Sequence, residues 1–165
     1  MKYAITGHTK GIGRRAFERL SPMAKGFSLT SGYDIKNAED RRRIIAESWD
    51  CDVFINNAAA GFGQTYLLLE LAQAWKNEPN KKIINVGSRI AEVYTLPAEY
   101  IDMLGYQAEK LILKEMSNRL RPAVQCKIEY RWFAYVGTEY ILKKYPHFTP
   151  ADYISEDAAV DIILS

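Results

Sequence analysis

The first twenty residues constrain the fold more than any other stretch. Lys2-Tyr3-Ala4-Ile5-Thr6 is a short apolar strand, and Gly7-His8-Thr9-Lys10-Gly11-Ile12-Gly13 is a glycine-rich turn. Ile12, Ala16, Phe17 and Leu20 then recur on one face of a helix. Gly7 allows a tight turn off the strand because it has no Cβ to clash. Gly11 lets backbone N–H groups approach an anion, and Gly13 lets the helix pack closely on the strand. The helix start faces that anion with free N–H groups and a partial positive charge. The spacing Gly-x-x-x-Gly-x-Gly, with Thr9, Lys10 and Ile12 between the glycines, therefore reads as a cradle for the pyrophosphate of a dinucleotide. It is not the commoner Gly-x-Gly-x-x-Gly arrangement.

The rest of the chain alternates strand and helix. Further strands are expected at residues 26–31, 51–56, 82–86 and 126–132. Helices are expected at 37–48 with Asn37 as N-cap, at 64–75, at 97–119 with an irregular start, and at 155–164 with Ser155 as cap. Residues 139–148 read as a short loop segment. This alternation predicts an α/β fold, a doubly wound parallel sheet covered by helices on both faces in three layers. At 165 residues the chain suffices for a single domain, 1–165, with a real core. Ligands in such sheets bind at the carboxyl ends of the strands.

Composition narrows the function classes. A net charge of +2 leaves no nucleic-acid footprint. The run Arg41-Arg42-Arg43 lies among Glu39, Asp40 and Glu47 and reads as a solvated helix face. Cys51 and Cys126 lack ligand spacing and read as reduced core thiols, so no metal site and a cytoplasmic setting are expected. No apolar run approaches a membrane span, and nothing at the N-terminus reads as a signal peptide.

Three features fall at strand ends. Asn56-Asn57-Ala58-Ala59 follows the third strand and Ser88 the fourth. Tyr106 and Lys110 lie four apart on the next helix and share a face. An ammonium beside a phenol favours the phenolate and lowers its pKa, so the tyrosine can exchange a proton with a carbonyl or alcohol oxygen. Ser88 can hydrogen-bond that same oxygen. Tyr140 and Lys144 repeat the spacing, so spacing alone decides nothing. Tyr106 is distinguished by following the serine-bearing strand end by 18 residues.

In this order the motifs resemble those of the short-chain dehydrogenase/reductase family. The resemblance rests on Thr6-Gly7-x-x-x-Gly11-Ile12-Gly13, Asn56-Asn57-Ala58-Ala59, Ser88 and Tyr106-x-x-x-Lys110, and runs from about residue 2 to 140. It implies a minimised Rossmann-type fold and a hydride transfer between a nicotinamide and a small carbonyl or alcohol substrate. Tyr106 would be the acid/base, Lys110 would tune it and hold the nicotinamide ribose, and Ser88 would orient the substrate oxygen. Asp34-Ile35 resembles the pair that contacts adenine, Asn57 and Ala58, followed by Ala59, would line the ribose side, and Val136-Gly137-Thr138 resembles the stretch that holds the carboxamide. The chain departs from the family in four places. Ala59 replaces a glycine, Phe133-Ala134 replaces Pro-Gly, the helix–strand pair before Asp34 is missing, and the family's catalytic asparagine has no counterpart. These departures leave a second reading open, a dinucleotide-binding regulatory or scaffold protein with little turnover. A sugar-nucleotide epimerase or reductase is a third reading, opposed by the absence of a C-terminal substrate domain.

The second strand is expected to end in Thr30-Ser31, without a carboxylate until Asp34, and Lys10 precedes Gly11. That favours NADP(H) as cofactor, with NAD(H) possible. The resemblance also implies a homodimer through helices 64–75 and 97–119. Leu67, Leu68, Leu69, Leu71 and Ala72 surround the first, and Leu104, Ala108, Leu111, Ile112 and Met116 spread around the second.

Overall fold

Five parallel strands form one sheet in the computed structural model, which describes the backbone of residues 1–165 and every side chain except that of Glu99. They are β1 (Tyr3–Thr6), β2 (Ala24–Phe27), β3 (Val53–Asn56), β4 (Lys82–Val86) and β5 (Lys127–Arg131), in the order β2-β1-β3-β4-β5. The helices are α1 (Gly11–Leu20), α2 (Ala38–Glu47), α3 (Gly63–Ala74), α4 (Leu104–Leu120), α5 (Glu139–Lys144) and α6 (Glu156–Leu164). The fold is the expected doubly wound α/β sheet.

Alternate strand residues supply two cores. Ala4, Phe54, Ile83 and Ile128 pack with Ile44 of α2, Leu67, Leu68 and Leu71 of α3 and Leu113 of α4. Ile5, Val53, Ile55, Ile84 and Val86 pack on the other face with Ala16 and Leu20 of α1 and Ala159, Val160 and Ile163 of α6. With both faces covered, the central strands need apolar residues at every position, which is why Val53-Phe54-Ile55 reads as a continuous run. Cys51 and Cys126 are both buried thiols, as expected.

Three local expectations need correcting. The second strand is shorter and earlier than residues 26–31, because Ser28 ends it. The Ser28 backbone N–H donates to Ser31 Oγ at 3.0 Å, and Leu29–Ser31 closes into a 3-10 turn. Hydroxyls that bond the local backbone in this way compete with a strand ladder. Residues 139–144, read as loop, form α5, because Thr138 caps it by accepting from the Ile141 N–H. The third correction is Arg41, which is buried rather than solvated. Its Nη1 donates to the carbonyls of Ile35 and Lys36 at 3.0 Å each, and Nε and Nη2 donate to Glu70 Oε1. Charge counting along the sequence missed that position 41 faces α3 and a loop whose carbonyls need donors. Arg42 and Arg43 stay outside and pair with Glu39 and Asp40. The long helix expected over 97–119 divides into a 3-10 segment, Ala98–Met103, and α4.

Candidate active site

Strand order reverses between β1 and β3, and ligands of such sheets bind in the crevice beyond the carboxyl ends of the strands at that reversal. The chain leaves β1 there through the glycine turn and leaves β3 through Asn57-Ala58-Ala59. Gly7 turns with φ +73°, in the left-handed region that glycine adopts without strain. At Gly13 a Cβ would stand 2.2 Å from the Gly7 carbonyl oxygen and 2.6 Å from Asn57 Nδ2, so α1 packs against the turn as only glycine permits. Thr6 joins the two loops. Its Oγ1 accepts from the N–H groups of Asn57 and Ala58, both at 3.0 Å, and its carbonyl accepts from Asn57 Nδ2.

A cavity of about 930 Å³ opens from this point. Its walls include Ile12, Asn57, Ala59, Ser88, Tyr106, Lys110, Val136 and Thr138, so eight of the residues expected from the sequence share one space. Gly11 approaches Thr138 closely, since a Cβ there would lie 3.2 Å from Thr138 Cγ2. Gly7 and Gly13 pack against each other and against Asn57 and Ala58, and Thr9 and Lys10 sit exposed at the turn. The remaining residues are elsewhere. Thr30 and Ser31 lie on the 3-10 turn after β2 with their hydroxyls on Ser28. Asp34 accepts from the Lys36 N–H, and Ile35 is buried in the core. Among the described residues no three His, Cys, Asp or Glu side chains converge on a metal position.

The electrostatics of Ser88, Tyr106 and Lys110 differ from the sequence expectation. Burial pushes the Tyr106 phenol above its ordinary value, and the Ser88 hydroxyl beside it acts in the opposite direction. Lys110 does not lower it here, because its ammonium is engaged elsewhere. Nζ donates to Gln64 Oε1 at 2.7 Å and to the Val86 carbonyl at 3.1 Å, and stands 5.5 Å from the centroid of the Tyr106 ring. Burial lowers Lys110 to about 8, and Glu109 opposes that shift.

Ser88 begins the 3-10 turn Arg89–Glu92 and accepts from the Ile90 N–H at 3.4 Å. Its own N–H donates to Tyr130 Oη at 3.4 Å. Tyr130, raised to about 12 by burial, fills the space a side chain at position 87 would need; a Cβ on Gly87 would lie 2.2 Å from its ring. Gln64 and Tyr130 therefore support the site, although the sequence reading passed over both. For Gln64 a signal existed, since it is a polar residue at the start of the apolar helix 64–75. Tyr130 carried none, because aromatic residues on strands are ordinary core residues.

No protein-family profile matches the chain, and no curated protein matches it significantly. Solved structures do match in fold. A short-chain dehydrogenase from Burkholderia cenocepacia J2315, in complex with NADP, is 23% identical with a TM-score of 0.77, over 99% of this chain and 84% of that one. The 3-alpha-hydroxysteroid dehydrogenase from Pseudomonas sp. B-0831, complexed with NADH, is 17% identical with a TM-score of 0.77, over 99% and 88%. A serine dehydrogenase complexed with NADP+ is 15% identical with a TM-score of 0.75, over 99% and 88%. The chain shares the fold of the short-chain dehydrogenases and reductases.

Proposed function

We propose that this protein is an NAD(P)(H)-dependent oxidoreductase of the short-chain dehydrogenase/reductase type, acting on a carbonyl or alcohol substrate. The observation that carries the reading is the convergence of Ser88, Tyr106 and Lys110 on one cavity beside the glycine turn. The residues suit a nicotinamide dinucleotide. Ile12 at the start of α1 lines the cavity next to the glycine turn, Asn57 and Ala59 line the next stretch, and Val136 and Thr138 line the wall beyond. When bound, the cofactor supplies or accepts the hydride.

The chain's own residues handle the proton. In the reductive direction Tyr106 gives its phenolic proton to the carbonyl oxygen, a transfer suited by a phenol that burial keeps protonated. Ser88 holds the same oxygen and steadies its developing charge. Lys110 has three N–H donors and spends two on Gln64 and Val86, which leaves one for ribose hydroxyls. The outer part of the cavity is walled by Val93, Leu96, Pro97, Met103, Tyr100, Tyr135 and Tyr145, which favours a substrate with an apolar or ring-bearing body. Lys144 at that wall leaves room for one anionic group on it. NADP(H) is favoured over NAD(H) by Lys10 and by the absence of a carboxylate in Ser28–Ser31.

Titration with NADPH, NADP, NADH and NAD, followed by nucleotide fluorescence, tests this reading, and one pair is expected to bind at micromolar concentration. The ammonium of Lys110 is present below about pH 8 and lost above it. Affinity is therefore expected to fall about tenfold between pH 7 and 9.5, the size of one charge-assisted hydrogen bond. No binding at millimolar nucleotide would sink the reading. Binding without turnover on any carbonyl compound would favour the regulatory or scaffold alternative.

We also propose a homodimer through α3 and α4. Tyr66 and Leu69 on α3, and Leu104, Leu111 and Ile112 on α4, remain exposed on the outer side of these helices. Sedimentation velocity is expected to give the dimer mass for the natural chain and the monomer mass for Leu111→Glu.

A further inference from the structure

Among the described residues, Lys110 is a buried cation without a carboxylate partner. It is 3% exposed, and the groups that hold its ammonium are an amide oxygen and a backbone carbonyl. The amide belongs to Gln64, also 3% exposed, at the start of α3. Gln64 is fixed in turn, because its Nε2 donates to the Asn56 carbonyl at 2.6 Å and to the Val86 carbonyl at 3.1 Å. Asn56 Nδ2 returns a bond to the Gln64 carbonyl and reaches Asn85 Oδ1, both at 2.9 Å. Asn85 Nδ2 donates to Ser117 Oγ, about two turns beyond Lys110 on α4. A row of neutral amides thus runs from the lysine into the core.

The chemistry of the row specifies glutamine at position 64. Lys110 Nζ can only donate, so it requires an acceptor. The carbonyls of Asn56 and Val86 can only accept, so they require a donor. A glutamine of this length supplies both from one planar group. Glutamate would turn lone pairs toward two carbonyls, and methionine would take an acceptor from the ammonium and the amide donor from the Asn56 carbonyl, leaving Val86 with the lysine.

We propose that Gln64 is a positioning residue for Lys110, fixing its side chain and keeping its amine charged and aimed into the cavity. The role sits with a neutral group, so the ammonium is held without being neutralised by an ion pair and keeps its remaining N–H for a ligand. The charged and titratable groups around Lys110 are few. Glu109 and Tyr106 flank it on its own helix, Ser88 and Gln64 are neutral, and Tyr130 on β5 stays a protonated phenol. Glu109 raises the lysine and burial lowers it.

The experiment reads the lysine directly in the full chain, by NMR titration of 13Cε-labelled lysine with Lys110→Met as the assignment control. The natural chain is expected to give a midpoint near 8. Gln64→Met removes an acceptor from the charged form and is expected to lower the midpoint by about one pH unit, whereas Gln64→Glu adds a counter-charge and raises it by about as much. Thermal melts of both variants accompany the titration. A residue that merely filled space would leave the midpoint of Gln64→Met where it stands in the natural chain, and that result overturns the proposal; Gln64→Glu, whose added charge raises the midpoint in either case, is the control that the titration reads this contact. If Gln64→Met does not fold, Gln64→Asn replaces it, since a side chain one methylene shorter loses the 2.7 Å contact and must lower the midpoint. A second arm titrates NADPH and NADH into each folded variant at pH 7. Weaker binding for Gln64→Met than for Gln64→Glu supports the proposal, and equal binding by both opposes it. This arm alone rests on the oxidoreductase reading. If no variant and no natural chain binds nucleotide, that reading fails while the titration still decides the role of Gln64.

Discussion

Tyr106→Phe is expected to lower turnover roughly 10³-fold, the effect of removing a positioned general acid, with nucleotide affinity changed by less than about twofold. The two quantities separate because the phenol oxygen is the one atom removed. The ring still packs in the cavity wall and under the Lys110 ammonium, 5.5 Å from its centroid. Steady-state kinetics on any carbonyl substrate that supports turnover, together with nucleotide fluorescence, measures both. Turnover within tenfold of the natural chain would remove Tyr106 from the chemistry. Tyr140→Phe is the built-in control. It alters the second tyrosine four residues before a lysine, on α5, which is 69% exposed at the cavity edge whereas Tyr106 is half-buried beside Ser88, and the rate is expected to stay within about tenfold of the natural chain.

Gly13→Ala is the second large effect, and it acts on structure. The new methyl carbon would stand 2.2 Å from the Gly7 carbonyl oxygen and 2.8 Å from the Gly7 carbonyl carbon. Both are backbone atoms of the turn, so no side chain can swing aside and α1 must lift from β1. The cost of such overpacking is about 3 kcal/mol, roughly 6–12 °C in Tm for a chain of this size. Lifting α1 also withdraws its N-terminal N–H groups from the turn, so dinucleotide affinity is expected to fall more than tenfold. A calorimetric melt and a nucleotide titration check the two effects, and a variant with unchanged Tm and affinity would show that the close approach is not required. Gly11→Ala is expected to be milder, about 1 kcal/mol from its left-handed φ of +50°, since its Cβ would meet only the Thr138 side chain, at 3.2 Å.

The parts of this molecule that were legible in its sequence are those governed by local spacing. The strand–turn–helix at the N-terminus follows from three glycines and one apolar face, and the caps at Asn37 and Ser155 follow from residue type and position. The cavity set Ser88, Tyr106 and Lys110 follows from strand ends and helical phase. Other features depended on partners distant in sequence. Arg41 looked solvated because its neighbours are charged, yet its partners are the carbonyls of Ile35 and Lys36 and the carboxylate of Glu70. Ser28 looked like a strand residue until its hydroxyl neighbours Thr30 and Ser31 folded back on it. The tuning of Tyr106 was inferred from a four-residue spacing, which places Lys110 on the right face but does not set where the end of a flexible side chain goes. Gln64, 46 residues away, decides that.

The amide row has a consequence for the sheet itself. Asn56 and Asn85 are direct cross-strand partners on β3 and β4, and their side chains meet in the layer below α3 and α4. Hydrophobic strands such as Val53-Phe54-Ile55 and Ile83-Ile84 tolerate sliding past one another, since one aliphatic residue packs nearly as well as the next. A slip of one residue here would turn one asparagine to the opposite face and leave buried amide N–H groups without acceptors. The residues that hold the lysine thereby also act as the alignment mark for the two central strands, and the same polar contacts that prepare the site penalise every misaligned sheet the chain could form.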